Sequence, residues 1–396
     1  MTNIADQIHT HAPVPLDDRK LITPFTVFLG LLSLAAGVMA LIRFILGLGA
    51  VTNLSDGYPF GIWIVYDVII GSGLACGGYV MALLVYIFNK GEYHPLVRPA
   101  LLASLLGYTL AGVSVMMDMG RYWNAWHIFW PGSAQENSVL FEVATCITLY
   151  IIVMFIEFSP AYLDKIGLNA IKKYVTRLLP FFIALGILLP SMHQSSLGSL
   201  AIIFGGQVNP LWQSGYMMPV EYLMTAVLLG FSAVVIEATL VAVGFDRPME
   251  TALLTKLAKF IWGLLLVFLV VRIGGLIMRG SIVNAFQLSQ ESVCFWIETL
   301  SFVLPLIMLA RTADRRNPGK LFGAAMLLIL GSFMLRVNGY LVGYDKGEGW
   351  HYFPSLPELT ITIGFIAFEI LAYITLVKLL PVLPGVPRLA SRDADG

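Results

Sequence analysis

Charged residues are scarce in this sequence of 396 residues. Asp, Glu, Lys and Arg make up 12% of it, whereas 58% is hydrophobic. That charged share is about half of the share in a typical soluble domain, so the composition indicates a membrane protein. The formal net charge is zero, and this balance gives no electrostatic reason to expect nucleic acid as a partner.

Cysteine and histidine are scarce as well. The sequence has three cysteines, too few for an iron–sulfur cluster held by four thiolates, and it has no C-x-x-C spacing. Membrane b-type cytochromes usually place two axial histidines on facing helices, but His193 is the only histidine deep in an apolar segment. We therefore predict that this chain holds neither an iron–sulfur cluster nor a haem, and that it has no other metal site.

Ten apolar segments are long enough to cross a hydrocarbon core of about 30 Å, which takes about 20 helical residues. None alternates strictly between apolar and polar residues, so helices rather than a barrel satisfy the backbone. The predicted fold class is an all-α integral membrane protein. The predicted helices lie at approximately 23–48, 61–88, 97–119, 136–158, 178–204, 217–243, 254–279, 289–310, 319–341 and 357–381.

The polar ends and the distribution of positive charge predict the topology. We expect one transmembrane domain, 23–381, between an N-terminal tail, 1–22, without a signal peptide, and a C-terminal tail, 382–396. Most of the 24 Lys and Arg residues fall on the side of the N-terminus, so the positive-inside rule puts both termini in the cytoplasm of a bacterium and the chain in its inner membrane. Those residues are Arg19, Lys20, Lys90, Arg98, Lys165, Lys172, Lys173, Arg177, Arg247, Lys256, Lys259, Arg311, Arg315, Arg316, Lys320, Lys378, Arg388 and Arg392.

A weak internal similarity suggests how the helices are grouped. "ENSVLFEVATC" at 136–146 and "QESVCFWIETL" at 290–300 each open a segment that enters the membrane from the same side. Their offset superposes the second segment on the sixth, which predicts two four-helix bundles with the first and tenth helices flanking them. Chance similarity between apolar segments is the alternative.

Ionisable residues inside the apolar segments cluster at the non-cytoplasmic end. Such groups cost about 2.5 to 3.5 kcal/mol each on insertion scales, so they usually face a cavity and mark function. Together they predict a polar cavity beneath the outer surface, with snorkelling side chains or structural ion pairs as the alternative. The residues at this end are Arg43, Asp67, Asp118, Arg121, Glu142, Glu221, Arg272 and Arg336.

The fifth segment adds polar groups to this region. In "LLPSMHQSSLGSL", at 188–200, Pro190 predicts a kink and turns His193 and Gln194 toward the cavity, where an imidazole can bind a carbonyl or relay a proton. A hydrogen-bonded structural histidine is the alternative. Tyr122 and Trp212 belong to an aromatic rim that is either an ordinary interfacial belt or a surface for a flat ring.

Further acids lie deeper in the helices. Glu157 and Glu237 are about 22 to 24 Å along their helices from Glu142 and Glu221, and Glu298 and Glu369 lie at intermediate depths. Such a ladder of carboxylates predicts a path for protons across the bilayer. Protonated glutamates bonded to the backbone are the alternative.

Several motifs resemble the NrfD/polysulfide-reductase family of membrane subunits, and the likeness covers roughly residues 20–385. Within the family, the hydrogenase-type members are the most similar. The matching motifs are "GYPFGIWIVYDVIIGSGLACGG", "YHPLVRPALLASLLGY", "DMGRYWN", "NSVLFE", "LLPSMHQSSLGSL", "NPLWQS" where the family has "HPLWQS", and "LPELTITIGFIAFEILAYI".

The resemblance implies a quinone-reactive subunit without haem. It implies a periplasmic ferredoxin-like iron–sulfur partner, connected to the small and large subunits of a [NiFe]-hydrogenase, and menaquinone or ubiquinone as bound substrate. Glu142, in "NSVLFE", becomes a candidate for proton delivery, and Asp67 and His193 match positions near the quinone pocket. The complex would act as a hydrogen:quinone oxidoreductase, with hydrogen activated in another subunit.

Two other functions remain open at this stage. Quinol oxidation by another NrfD-type oxidoreductase uses the same parts, because the sequence does not set the direction of electron flow. A secondary transporter is supported by the proline-containing fifth helix and the internal repeat. The charges cluster near one face, however, whereas a transport site belongs near the midplane.

Overall fold

The computed structural model describes residues 13–16 and 19–385. It is 77% helical, and its described part contains ten helices long and apolar enough to cross a membrane. Each overlaps one predicted segment, so the fold class is confirmed. The helices are α1 Pro24–Leu46, α2 Trp63–Ile87, α3 Gly91–Asp118, α4 Val139–Ile166, α5 Asn169–Ile203, α6 Gly215–Gly244, α7 Thr251–Met278, α8 Gln290–Met308, α9 Pro318–Val342 and α10 Leu356–Leu379.

Side-chain caps fix where several of these helices begin. Thr23 and Thr26 form a reciprocal capping box ahead of α1. Ser355 and Glu358 form a second one ahead of α10. Ser289 Oγ accepts a hydrogen bond from the backbone N–H of Ser292, the third residue of α8. Each cap provides a hydrogen-bond acceptor for N–H groups that have no partner inside the helix. Leaving these groups unpaired would cost free energy where water is excluded.

The helices form two four-membered bundles, as predicted. In the first bundle α2, α3, α4 and α5 pack in a ring, and in the second α6, α7, α8 and α9 do the same. α2 packs against α6 at the junction, which α5 and α9 also border. Gly230 of α6 allows this approach, since a Cβ there would lie 2.8 Å from the backbone of Cys76. The interior between the bundles is therefore tightly packed.

α1 and α10 pack on each other beside the first bundle, where they contact α2 and α3. They meet at Gly364, where a Cβ would lie 2.1 Å from the Cβ of Ala36. Only glycine fits at this crossing without moving a helix. The two flanking helices are thus one pair on one side.

α2 and α5 differ from regular helices of the predicted length. α2 has wide π-type turns at Trp63–Ile70 and is interrupted at Ala75 and Cys76. α5 continues as a helix through Pro190 and begins at Asn169, nine residues before the predicted start at 178. Its first turns carry the positively charged residues Lys172, Lys173 and Arg177. Hydropathy marks the bilayer boundary, whereas the helix extends beyond it.

The first and last described residues lie at one end of the bundles, which we call proximal; the opposite end is distal. Strand β1, Pro13–Val14, pairs antiparallel with β2, Leu383–Pro384. Val382 and Leu383 are 1% and 2% exposed, so the start of the predicted C-terminal tail packs on the helices. The remainder of the predicted tails, at 1–12, 17–18 and 386–396, lies outside the described residues.

Candidate functional site

An ion-pair triad lies between α6, α7 and α8 in the distal half of the second bundle. The guanidinium of Arg272 donates to Glu221 over 3.2 Å and to Glu298 over 3.0 Å. All three residues are at most 3% exposed. Two carboxylates share one arginine, so the triad either carries a net negative charge or holds one proton.

The two carboxylates of the triad differ in their remaining bonds. Glu298 Oε2 accepts from Trp212 Nε1 over 2.6 Å and from Asn338 Nδ2 over 2.9 Å. Glu221 Oε1 is buried and has no hydrogen-bond partner among the described residues. Unpaired buried oxygens are costly, so this oxygen is the one available to a proton or to a ligand hydroxyl.

A second charged group, Arg336, is fully buried at the junction of the bundles. It donates to the carbonyl of Ile69 over 3.1 Å, to Thr225 Oγ1 over 3.0 Å, and to Gln194 Oε1 and the carbonyl of Tyr222 over 3.3 Å each. Among the described residues no carboxylate lies within ion-pair distance of it. The protein therefore solvates a full positive charge with neutral dipoles, which favours an incoming partner with negative charge.

His193 and Gln194 belong to the same cluster. Gln194 Nε2 donates to Ser72 Oγ over 2.9 Å, and His193 Nε2 lies 3.0 Å from the same oxygen. The His193 ring packs edge-on against Tyr108, and its Nδ1 has no partner in the described structure. We call Ser72, His193, Gln194 and Arg336 the central cluster. Sequence analysis missed Ser72, whose position five residues after Asp67 gave no sign that it faces another helix.

Aromatic rings connect the central cluster with the distal surface. Phe60, Phe204 and Tyr340 lie with ring centres about 6 Å apart, and Tyr340 approaches Tyr222 at 6.3 Å. The guanidinium of Arg336 lies 5.0 Å from the centre of the Tyr222 ring. The Tyr222 hydroxyl is buried without a hydrogen-bond partner among the described residues. Tyr222 therefore contacts both the aromatic rings and the buried cation.

The other predicted pocket residues lie on a different side of α2. Asp67 accepts from Thr362 Oγ1 of α10 over 3.3 Å. Asp118 ends α3 within electrostatic reach of Arg43, whose guanidinium lies 5.4 Å from the ring centre of Tyr122. Arg121 is exposed next to them. The structure thus brings Asp67, Asp118, Arg121 and Tyr122 to the α1–α3–α10 side, away from His193, Gln194 and Trp212.

Two of the predicted proton carriers border proximal cavities. Glu157 borders a cavity of ≈ 180 Å³ together with His94 and Arg98. Glu237 borders another of ≈ 90 Å³ and accepts a hydrogen bond from the Tyr373 hydroxyl.

Of the remaining candidates, Glu221 and Glu298 belong to the ion-pair triad, and Glu369 and Glu142 lie away from these cavities. Glu369 lies one helical turn before Tyr373 and packs at Gly107 of α3. Glu142 is half-buried at the distal start of α4, and its carboxylate makes no hydrogen bond or ion pair in the described structure.

Sequence analysis also missed Glu358, which is 1% exposed. Its carboxylate accepts from the backbone N–H of Asn53 and Ser355 and from the Tyr352 hydroxyl. Burial and the bond to Glu358 raise the pKa of Tyr352 above its usual value. Glu358 therefore ties two distal loops to α10. The capping-box pattern S-x-x-E at 355–358 was the available signal.

Comparisons with known proteins define the class to which this site belongs. The chain is 47% identical over 378 residues to the "Probable Ni/Fe-hydrogenase 2 b-type cytochrome subunit" of Escherichia coli, covering 95% of this chain and 96% of the relative. It is 26% identical over 365 residues to the "Menaquinone reductase, integral membrane subunit" of Nitratidesulfovibrio vulgaris, covering 85% and 86%. It is 21% identical over 383 residues to a selenate reductase subunit of Mesobacillus selenatarsenatis, covering 85% and 88%.

These similarities make the chain a multi-pass membrane subunit of an oxidoreductase complex, which works together with other subunits. The family model "Polysulphide reductase, NrfD" matches residues 50–342. The chain therefore belongs to the NrfD family, and the resemblance found in its motifs, including the likeness to a hydrogenase subunit, is confirmed.

The name of the Escherichia coli relative contradicts the cofactor prediction. It describes a b-type cytochrome subunit, that is, a protein with haem b, whereas we predicted no haem. By this comparison the prediction is wrong, because it rested on counting histidines. Such a count excludes a pair of histidine ligands from one chain, but haem iron also accepts methionine, cysteine or tyrosine.

The surroundings of His193 do not fit a haem in the arrangement described. The side chain is 0% exposed, and its Nε2 is occupied by Ser72 at 3.0 Å. An imidazole that ligates haem iron needs this nitrogen or Nδ1 to face a porphyrin, whereas the buried His193 ring packs against Tyr108. We therefore assign no step to a haem at this position.

Proposed function

We propose that this chain is the quinone-reactive membrane subunit of a respiratory [NiFe]-hydrogenase complex in a bacterial inner membrane. It passes electrons from a periplasmic iron–sulfur subunit to menaquinone or ubiquinone and supplies the protons. The observation that carries this proposal is the position of Tyr222, whose buried ring contacts both the ring of Tyr340 and the guanidinium of Arg336. The names of the hydrogenase and menaquinone reductase relatives support it.

The geometry suggests how a quinone would be held. The rings of Phe60, Phe204 and Tyr340 offer faces and edges for the quinone ring, and the first two are half-buried near the distal surface. Tyr222 donates a hydrogen bond to one carbonyl oxygen. Arg336 stabilises the negative charge that this oxygen gains as electrons arrive, because a cation in a dry site acts strongly on developing charge.

Reduction of a quinone takes two electrons and two protons and forms two O–H bonds. Glu221, whose Oε1 is unpaired, is the near candidate for delivering a proton. Glu142 is a candidate at the distal surface. Glu298 accepts a hydrogen bond from Trp212 and holds Arg272 beside Glu221. Donor carboxylates in dry surroundings suit proton delivery.

Protons are proposed to enter from the proximal, cytoplasmic side. Glu237 bonds to Tyr373, which follows Glu369 by one turn on α10. Glu157 offers a separate entry from its own cavity. Uptake from that side makes turnover electrogenic. A membrane potential in proteoliposomes during hydrogen-driven quinone reduction is expected, and electrically silent turnover would contradict this step.

The electron donor is proposed to dock on the distal loops. These loops expose large aromatic side chains that a partner would cover, and they carry few charges. The ferredoxin-like subunit, and through it the small and large hydrogenase subunits, would bind there. The exposed side chains are Trp123, Trp126, Trp130, Phe286 and Phe353.

The experiment that tests the proposal replaces Tyr222 by Phe in the whole complex. We expect hydrogen-driven reduction of a menaquinone analogue to fall about tenfold, in line with the loss of one hydrogen bond to a charged group. Hydrogen oxidation with an artificial dye should be unchanged. The matched control is Tyr216→Phe, since Tyr216 is 93% exposed at the same end. Equal quinone rates in both variants would contradict the proposed site.

The similarity to a selenate reductase subunit favours a second candidate, in which the chain oxidises quinol and electrons leave toward a reductase. The same residues serve both directions. Supplying the complex with hydrogen and quinone, or with quinol and an oxidised dye, decides between them. Faster electron transfer from quinol to the dye than from hydrogen to quinone would favour the second candidate.

A further inference from the structure

The C-terminal residues 381–385, which we call the C-terminal strap, are fastened to the proximal end by their backbone oxygens. Arg98 of α3 donates to the carbonyl of Pro381 over 3.1 Å. Arg247, in the loop after α6, donates to the carbonyl of Pro384. Because a guanidinium bonds carbonyl oxygens whatever the side chain, these contacts fix the path of the backbone.

The N-terminal segment holds the strap from its other edge. Val14 pairs with Leu383, and Pro13 pairs with Pro384. The segment is anchored in turn, since Arg19 donates to the carbonyl of Phe245 and Lys378 donates to that of Lys20. The described N-terminal residues and the strap are therefore tied to the loop after α6 and to the end of α10.

The strap forms one wall of the cavity that reaches Glu237. Leu383, Pro384 and Gly385 line this cavity of ≈ 90 Å³ opposite α6, and Arg247 and Glu250 stand at its edge. Glu237 lines it from α6, and the hydroxyl of Tyr373 binds the carboxylate. The strap therefore borders the route by which proximal water would reach Glu237.

We propose that the C-terminal strap restricts solvent access to Glu237 and that Arg247 is the positioning residue that keeps the strap in place. Release of Pro384 from Arg247 and from the paired residues Pro13 and Val14 lets the strap swing out while Arg98 still holds Pro381. The cavity then opens to the proximal solvent. The consequence for catalysis rests on the proposed proton uptake, whereas the strap itself is testable without quinone.

The test measures access to the cavity directly. Ala238, which lines the cavity, is replaced by Cys. Cys294 is partly exposed and is replaced by Ser so that it does not react, whereas Cys76 and Cys146 are buried and are kept. The purified complex is treated with a charged thiol reagent, and the labelling rate at position 238 is followed by mass spectrometry. With the strap in place the labelling rate should be lower than with the strap released.

Two variants open the strap in different ways. Arg247→Ala should raise the labelling rate about tenfold, as expected for losing a charge-assisted hydrogen bond. A chain that ends at Pro381 should raise it at least as much, and it keeps the Arg98 contact and all ten helices. Arg247→Lys should give an intermediate rate. The control is Arg316→Ala, since Arg316 is exposed on another proximal loop.

Unchanged labelling in both opening variants would overturn the proposal, even where one of them folds poorly, because the other still reports. Faster labelling with unchanged hydrogen-driven quinone reduction would support the proposed role of the strap and contradict proton entry through Glu237. Faster labelling with altered quinone reduction would support both. The labelling rate thus tests the strap, and the quinone rate tests proton entry through Glu237.

Discussion

The guanidinium of Arg336 lies 5.0 Å from the centre of the Tyr222 ring, and the Tyr222 carbonyl accepts one of its hydrogen bonds. One residue thus presents both its ring and its backbone to a buried cation. No carboxylate within the described residues pairs with this arginine. The charge is held by groups from α2, α5 and α6, which makes the junction of the two bundles depend on it.

Arg336→Lys should destabilise the protein markedly. An ammonium cannot reproduce directional bonds to Ile69, Thr225 and Gln194 at once, and we expect a loss of about 3 kcal/mol. Thermal unfolding of the purified complex measures it. Arg279→Lys, at an exposed distal position, is the control. Equal unfolding temperatures for the two variants would show that the buried network contributes little.

Trp212→Phe tests the ion-pair triad. The change removes the indole donor from Glu298 Oε2 and leaves this buried oxygen to Asn338 alone. An expected cost of about 1 to 3 kcal/mol follows from the under-satisfied carboxylate. Trp262→Phe is the comparison, since Trp262 donates to a neutral carbonyl, that of Leu306. A larger loss for Trp262 would argue against a charged triad.

Gly364→Ala tests the crossing of α1 and α10. The new Cβ would lie 2.1 Å from the Cβ of Ala36, so the two helices must separate, at a cost of about 1 to 3 kcal/mol. Gly37→Ala is matched to it, because nothing lies within 4 Å of a Cβ there. The difference in unfolding temperature between the two variants measures the cost, and no difference would contradict the close packing.

Tyr373→Phe tests the proton route. It removes the hydroxyl that binds Glu237, so proton supply and hydrogen-driven quinone reduction should slow several-fold, while dye reduction is retained. Tyr162→Phe makes the same change at a site that is 55% exposed on α4. The ratio of quinone to dye rates is the readout, and a ratio like that of the control would remove Tyr373 from the route.

The helices and their grouping could be predicted from the sequence because hydrophobic length and the internal repeat depend only on residue order. The ends of α5 could not, since a helix continues past the bilayer wherever its polar turns are solvated. The interruption of α2 at Ala75 and Cys76 could not be predicted either, because the small residues around it are equally typical of close packing between regular helices.

The candidate site was predicted in its components and not in its arrangement. Depth along a helix placed Glu221, Arg272 and Arg336 in one distal region, but depth does not tell which face of a helix a residue occupies. Asp67 and Ser72 are five residues apart on α2 and face different neighbours. The residues that we expected to line one pocket therefore lie in separate clusters. The charges of Glu221, Arg272 and Glu298 pair with one another.

The location of the quinone tests the central claim most directly. A photoreactive menaquinone analogue is bound to the intact complex, and the labelled residues are identified by mass spectrometry. The account predicts label at Phe60, Phe204 and Tyr340, which link the distal surface to Tyr222. Label confined to Asp118 and Tyr122, on the α1–α3–α10 side, would contradict it.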